Sequence, residues 1–545
     1  MKQIFFCLLA LTASSAVSAL PKEKREGGVI FEGRPPKLDY GLPLFRLADG
    51  QRFPEDKFLE ILKKAAPNKN IKVDKTTDGS YKYHDGELLV GLYEQEFGET
   101  TLFPDPEALT PGDFKLDLDA VAVLAKDKSI IPPDDTKVSI VIGSRLSGSQ
   151  QKIDQKPGPR GTYLLEGIIQ RVVELPKATH PVCGPGSKAS FSFGADGFVK
   201  SLTHRWNAAK TEGPQFAALD PDSIVKLIAA QFEDAGVTAG VTVHAVDFCY
   251  FDSAAGFLQP VFRFNATVPG PAGAAARRVE GYVPATGKAF EDLPPVLPRP
   301  AAGEAQPAVA PPPADAKLAA RGAGAGVRVG RYLQANNTLS QSFVKEAVGF
   351  WDGLRGGGAA GAFVDAQYYW DSPWTYADPT AAGYINAVQL GFSDGHGNHH
   401  LFETDDFLPS HGLVRVPGSL ATKGFGASST AGAQLAYWVL AECSVIPSEF
   451  DFPADPSRAY APWWPVFKGM RAAVGFRDLT VVSPENMKKA GRVIGQGASV
   501  VNGWMTTMLA TGKTSAVTVC DHTEDNVYQN SGIGIPDCLR MWWYE

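Results

Sequence analysis

The chain has 545 residues, 44% of them hydrophobic, and a formal net charge of −7. That length exceeds what one hydrophobic core supports, so two domains or more are expected. Mild acidity without a basic stripe excludes nucleic acid as a partner. Beyond the N-terminus no run of about twenty apolar residues occurs, so no membrane anchor is expected.

The N-terminus reads as an export signal. Lys2 precedes an apolar run over 4–11, and Val17-Ser18-Ala19 supplies a small-x-small cleavage site, giving a signal peptide over 1–19. The protein is therefore expected to be secreted, extracellular or in a cell wall. Lys24-Arg25 follows within a short distance and resembles a processing site of the fungal secretory type. Two sequons, at Asn265 and Asn336, are glycosylatable in such a pathway.

Residues 20–290 read as an α+β region. Phe58, Ile61, Leu62 and Ala65 have helical spacing over 54–66. Asp220-Pro221 opens a second helix, with Asp as N-cap and Pro in the first turn, and Ile224, Leu227, Ile228 and Phe232 form its apolar face. Strand-like runs follow over 241–251, 257–268 and 278–283. This helix and β-meander, about 80 residues in all, resemble the small α+β modules in propeptides of secreted peptidases.

Residues 291–327 are rich in Pro and Ala and read as an interdomain linker. Residues 328–545 then alternate between strand and helix. A helix is expected over 340–354, strands over 362–370, 385–392 and 434–441, a helix from Ser483-Pro484-Glu485, and a late strand over 515–520. Such alternation predicts an α/β domain with a mostly parallel sheet and flanking helices.

Cys7 leaves with the signal peptide, and five cysteines remain. An odd number leaves one thiol outside intramolecular bridges. If bridges form within each half, Cys183 can pair with Cys249, and pairing of the neighbouring Cys520 and Cys538 would leave Cys443 outside; the sequence alone does not fix the connectivity.

Two expected strand ends carry chemistry. One runs into Ser393-Asp394-Gly395-His396-Gly397 and the other into Ala441-Glu442-Cys443-Ser444. In open α/β sheets, ligands bind beyond the carboxyl ends of strands. A thiolate is a nucleophile, and a nearby imidazole takes its proton and later returns it to a leaving amine. Backbone N–H groups of Gly397 and Cys443 are placed to hold an oxyanion.

A His-Gly after one apolar strand and a Cys after the next resemble the caspase–legumain–gingipain group of cysteine peptidases. That resemblance implies a caspase-like fold for 328–545, His396 as general base and acid, Cys443 as nucleophile, Gly397 as an oxyanion donor, and a peptide or protein substrate without a cofactor. Glu442 departs from the pattern, since a small residue usually precedes the nucleophile. A carboxylate facing the sulfur would raise the thiol pKa, but neighbours in a strand point to opposite faces. The wider pattern around Trp463-Trp464-Pro465 and Val474-Gly475-Phe476 resembles a secreted family of fungi and bacteria.

Two other readings fit the same residues. One is a non-catalytic secreted binding protein. The other is a metal-dependent hydrolase: four of the nine histidines, His396, His399, His400 and His411, lie in one stretch with Asp394, Glu403, Asp405 and Asp406. Its H-x-x-H-H spacing matches no zinc signature, and no metal is assigned. The aromatic segments 368–376 and 463–464 are expected in the core.

Overall fold

The computed structural model describes residues 24–545 except 27, 50–51, 66–69, 87, 113–117, 238–239, 255, 269–276, 311–325, 336–338 and 405–411. The expected signal peptide, the Asn336 sequon, and Asp405, Asp406 and His411 lie outside the described residues.

The first half builds two sheets. In one, Arg277–Pro284, Phe257–Val268 and Val241–Asp252 form the expected antiparallel meander. Val29–Phe31 adds in parallel beside Val241–Val243. Phe232 of the Pro221–Asp234 helix packs on Phe264 at the centre of this core. Alternation along Phe257–Val268 buries Phe262, Phe264, Ala266 and Val268 and leaves Arg263, Asn265 and Thr267 half-buried on the other face. The Asn265 sequon therefore sits on the side of the sheet away from the core.

The second sheet is antiparallel throughout. Its strands run from Ile71–Lys75 through Tyr81–Asp85, Leu88–Glu94, Glu99–Leu102, Val199–Arg205, Lys188–Phe193 and Gly161–Leu175 to Lys137–Lys152. The helix Glu55–Ala65 covers it through Phe58 and Leu62.

Lys137–Lys152 belongs to two layers. Its first part pairs with Gly161–Leu175, and residues 146–152 pair with Cys538–Tyr544. From there the sheet of the second half continues through Thr514–Val519, Ala472–Phe476, Tyr437–Leu440, Leu390–Asp394, Val327–Leu333 and Phe363–Trp370 to Ala308–Val309. Strands from Ala472–Phe476 to Ala308–Val309 are mutually parallel, and the three at the other edge are antiparallel.

Both faces of this sheet are covered, so its central strands Leu390–Asp394, Tyr437–Leu440 and Ala472–Phe476 are buried at every position. Tyr437 and Val439 face the helices Ser340–Gly357, Pro484–Gly495 and Val500–Met508. Trp438 and Leu440 face a layer of turns and aromatic side chains that includes Tyr376, Ile385 and Trp463. The aromatic segments contribute to core, as expected. The strand expected over 385–392 begins only at Leu390, because Ile385–Ala387 is a 3-10 turn whose Ile385 packs in this second layer beside Gly391. A short apolar run reads the same in either role.

Two helices pack backbone to backbone. A Cβ on Gly353 would lie 2.0 Å from the Lys488 carbonyl oxygen, one on Gly357 2.2 Å from that of Arg492, and one on Gly491 2.1 Å from that of Phe350. Glycine at four-residue spacing on each helix permits this approach.

The stretch read as a linker is docked over much of its described length. Val296 and Leu297 are buried in the core of the first sheet, Ala308–Val309 pairs with Tyr369 and Trp370, and Ala310 is buried in the second half. Proline removes hydrogen-bond donors, but the apolar side chains between the prolines still find surface to cover.

Both expected disulfides are present, Cys183–Cys249 and Cys520–Cys538, and Cys443 lies outside them. Such bridges fit an oxidising compartment. Among the described residues, no helix is long and apolar enough to cross a membrane.

Candidate functional site

The carboxyl ends of four parallel strands converge. Val327–Leu333 ends at Gln334, Phe363–Trp370 at Asp371, Leu390–Asp394 leads to His396, and Tyr437–Leu440 leads to Cys443. The two chemistry-bearing strands are direct neighbours, with Ser393 opposite Leu440 and the Ala441 N–H donating to the Ser393 carbonyl at 2.8 Å. The turns beyond them touch as well. A Cβ on Gly397 would lie 2.7 Å from the Cys443 carbonyl oxygen and 2.7 Å from Glu442 Cβ. Only glycine allows that approach.

His396 is held by its backbone and by packing. Its N–H donates to Gln334 Oε1 at 2.8 Å, and its carbonyl accepts from the Glu403 N–H at 2.9 Å. Gln334 Nε2 donates to Glu403 Oε2 at 2.9 Å, which fixes the amide that holds His396. The imidazole stands edge-on to Phe343, with centroids 5.8 Å apart. In the short hairpin that follows, Gly397 faces Phe402 one step beyond the His396–Glu403 contact. The alternation of an antiparallel pair turns the Gly397 N–H outward from the hairpin.

Cys443 turns toward a different wall. Its sulfur accepts from the Thr480 N–H at 3.4 Å and approaches the Thr480 carbonyl at 3.9 Å. Ser444 follows with φ of +56°, in the left-handed region, and its N–H donates to the Asp478 carbonyl at 3.0 Å. A residue other than glycine there reports a turn fixed by its surroundings. The two walls are tied together: Glu346, from the helix that carries Phe343, accepts from the Ser483 N–H at 2.8 Å.

Beneath the two turns lies a buried polar layer. Ser393 Oγ accepts from Trp438 Nε1 at 3.0 Å and meets the Tyr376 hydroxyl at 3.0 Å, and that hydroxyl donates to Asp371 Oδ2 at 3.2 Å. Burial, then the Asp371 and Glu442 carboxylates, push the Tyr376 phenol well above its ordinary range. Tyr376 therefore stays protonated and serves as a donor.

The site is closed in this structure. His396 is 1% exposed and Cys443 2%. Leu339 and Phe343, at the start of the Ser340–Gly357 helix, join the core of the first sheet of the N-terminal half. Arg278 of that sheet forms a β-bridge with Val481, next to Thr480. The Ser342 hydroxyl donates to the Pro298 carbonyl at 3.3 Å.

The other histidines diverge. His400 has φ of +53° and stacks on Phe452 with ring planes 7° apart, and burial lowers its pKa to about 4. The His399 N–H donates to Asn398 Oδ1, and its ring meets the same Phe452 edge-on. Among the described residues, no group of three or more His, Cys, Asp or Glu side chains is placed to hold a metal ion.

Gln334, Phe343 and Thr480 escaped the sequence reading. The alternation in Val327-Arg328-Val329 marks a strand ending just before Gln334. Phe343 and Thr480 carry no comparable signal, because tertiary packing alone brings them to the site.

No family model and no curated protein matches this sequence. Among solved structures, an uncharacterized protein from Eubacterium rectale matches at 11% identity over 50% of this chain and 94% of its own, with a TM-score of 0.28. That likeness is too remote to bear on fold or function.

Proposed function

We propose that the protein is an exported, latent cysteine peptidase of caspase-like type, with His396 and Cys443 as its dyad. The observation that carries this reading is the register of the two neighbouring strands, which sets His396-Gly397 beside Glu442-Cys443 at the carboxyl edge of the sheet. In the proposed step, the Cys443 sulfur attacks a peptide carbonyl carbon and His396 takes the thiol proton. As the C–N bond breaks, His396 protonates the leaving amine, and water then releases the acyl group. The outward Gly397 N–H and the Cys443 N–H would receive the oxyanion. The first sheet of the N-terminal half acts as the cover, through Leu339, Phe343 and the Arg278–Val481 bridge.

A second reading, a non-catalytic binding protein on the same frame, is favoured by one observation: the Cys443 sulfur is buried against Thr480. Labelling separates the two. Iodoacetamide would be titrated from about pH 5 to 9, bracketing a free-thiol pKa of about 8.5, on the intact chain and after limited proteolysis between residues 293 and 327. Labelling of Cys443 below that pKa after proteolysis, weakened by His396→Ala, supports the peptidase. An inert thiol in both forms removes it and leaves the binding protein.

A further inference from the structure

The hairpin formed by Leu88–Glu94 and Glu99–Leu102 lies against the Pro484–Gly495 helix, far away in sequence. Leu89, Leu92 and Phe103 pack there with Val493 and Ala498. Charged groups surround this apolar patch. Arg492 Nε lies 2.8 Å from Glu94 Oε1 as an ion pair without hydrogen-bond alignment, while one terminal nitrogen donates to Asp78 Oδ2 at 2.9 Å and the other to Glu96. Lys488 bonds Glu96 Oε1 at 2.9 Å, and Lys489 bonds Glu99. Lys82 reaches the Gln496 carbonyl at 3.5 Å and faces Glu94 and Asp78.

Arg492 is thus divided among three carboxylates. Two keep contact with water, since the side chains of Asp78 and Glu96 are 48% and 40% exposed. Glu94 is 2% exposed. Lys489, the next cation, is committed to Glu99, itself 7% exposed. An ionised carboxylate buried with a shared guanidinium is poorly compensated. Burial accordingly pushes Glu94 up to about 7, opposed by Arg492 and then Lys489 and reinforced by Glu99.

We infer that this junction is a proton-operated clasp between the two halves of the chain, closed by one proton on Glu94 and loosened when that proton leaves. The sign follows from linkage. Glu94 binds its proton more tightly when docked than when exposed, where a Glu titrates near about 4.3. The docked state is therefore favoured in acid, and the advantage drains away as pH rises through about 7. The helix begins at Pro484, directly after the segment that holds Cys443 at Thr480. Loosening the clasp would free that wall of the candidate site; this consequence rests on the peptidase reading, whereas the clasp does not.

Hydrogen exchange of the full chain from pH 5.5 to 8, corrected for intrinsic rates, tests it. Protection of amides 88–102 and 488–496 is expected to fall on the order of tenfold with a midpoint near 7, while amides 257–268 hold. Glu94→Gln, permanently neutral, should abolish the step and keep high protection at pH 8. Glu96→Gln, on an exposed partner, should keep the step. A flat profile in the natural chain, an equal fall at 257–268, or an unchanged step in Glu94→Gln overturns the clasp. If Glu94→Gln does not fold, the profiles of the natural chain and Glu96→Gln decide. Cys443 labelling is a separate readout, so the clasp and the peptidase reading can fail independently.

Discussion

Asp220-Pro221 and Ser483-Pro484 present the same helix-start pattern, one in each half of the chain. In the first, Asp220 Oδ1 accepts from the N–H groups of Asp222 and Ser223, each at 3.0 Å. In the second, the Ser483 hydroxyl makes no capping bond. Its own N–H is satisfied from outside by Glu346, on a neighbouring helix. The first helix lies on the surface of an open sheet, so its exposed end relies on its own residues. The second is wedged between another helix and the N-terminal hairpin, so tertiary contacts hold it. Local sequence carries more of the structure in the first half, and packing carries more in the second.

The largest test of that contrast lies in the disulfides. Cys183–Cys249 closes a separation of 66 residues and Cys520–Cys538 one of 18. Chain-entropy reasoning assigns about 4 kcal/mol to the first and about 3 kcal/mol to the second. Replacing each pair by serine should therefore cost more in the N-terminal half when unfolding is followed by denaturant titration. The reverse order would show that packing around Cys520 and Cys538, rather than loop length, sets their contribution.

Next come the glycines. Gly353→Ala places a methyl group against the Lys488 carbonyl and the Arg492 amide, both backbone. Two helices must separate, and a loss of about 3 kcal/mol is expected. In the first half, a methyl group on Gly281 meets the Phe264 ring, which is side chain. Gly281→Ala should cost about 1 kcal/mol. Equal losses would mean that the second half is no more tightly locked than the first. The helix starts give a smaller effect in the opposite sense: Asp220→Ala should lower the denaturation midpoint clearly, and Ser483→Ala should leave it within error.

The same contrast explains what could be read without coordinates. The meander at Phe257–Val268 and the Asp220 cap follow from alternation and turn chemistry within a dozen residues. Counting could show that one thiol lies outside the bridges, though not which one, and apolar runs could place His396 and Cys443 at strand ends. The sharing of Lys137–Lys152 between two sheets could not be read, because a strand's sequence does not name its partner. Nor could Phe343, Thr480 or the Glu346 contact with Ser483, which join residues 37 to 137 positions apart that no local pattern connects. The docking of Val296 and Ala310 within the proline-rich 291–327 stretch could not be read for a related reason: composition reports missing donors and says little about which apolar side chains will find a hydrophobic surface.

The smallest effect has the opposite sign. Ser444 and, in the first half, Ala254 hold φ values of +56° and +72°. A left-handed conformation costs a side-chain-bearing residue about 1–2 kcal/mol, and glycine removes that cost while adding about 0.5–1 kcal/mol of unfolded-state entropy. Each change to glycine should therefore stabilise by about 0.5 kcal/mol, net. The two sites then part company. The Ala254 N–H is held by Asp252 Oδ1 at 2.8 Å, within its own turn. Ser444 is held by Asp478, across the wall that receives the Cys443 sulfur. If packing fixes the second half, Ser444→Gly should raise stability without changing the rate at which Cys443 is labelled. A stabilised protein with a faster-labelled thiol would instead show that the strained turn itself keeps Cys443 against Thr480.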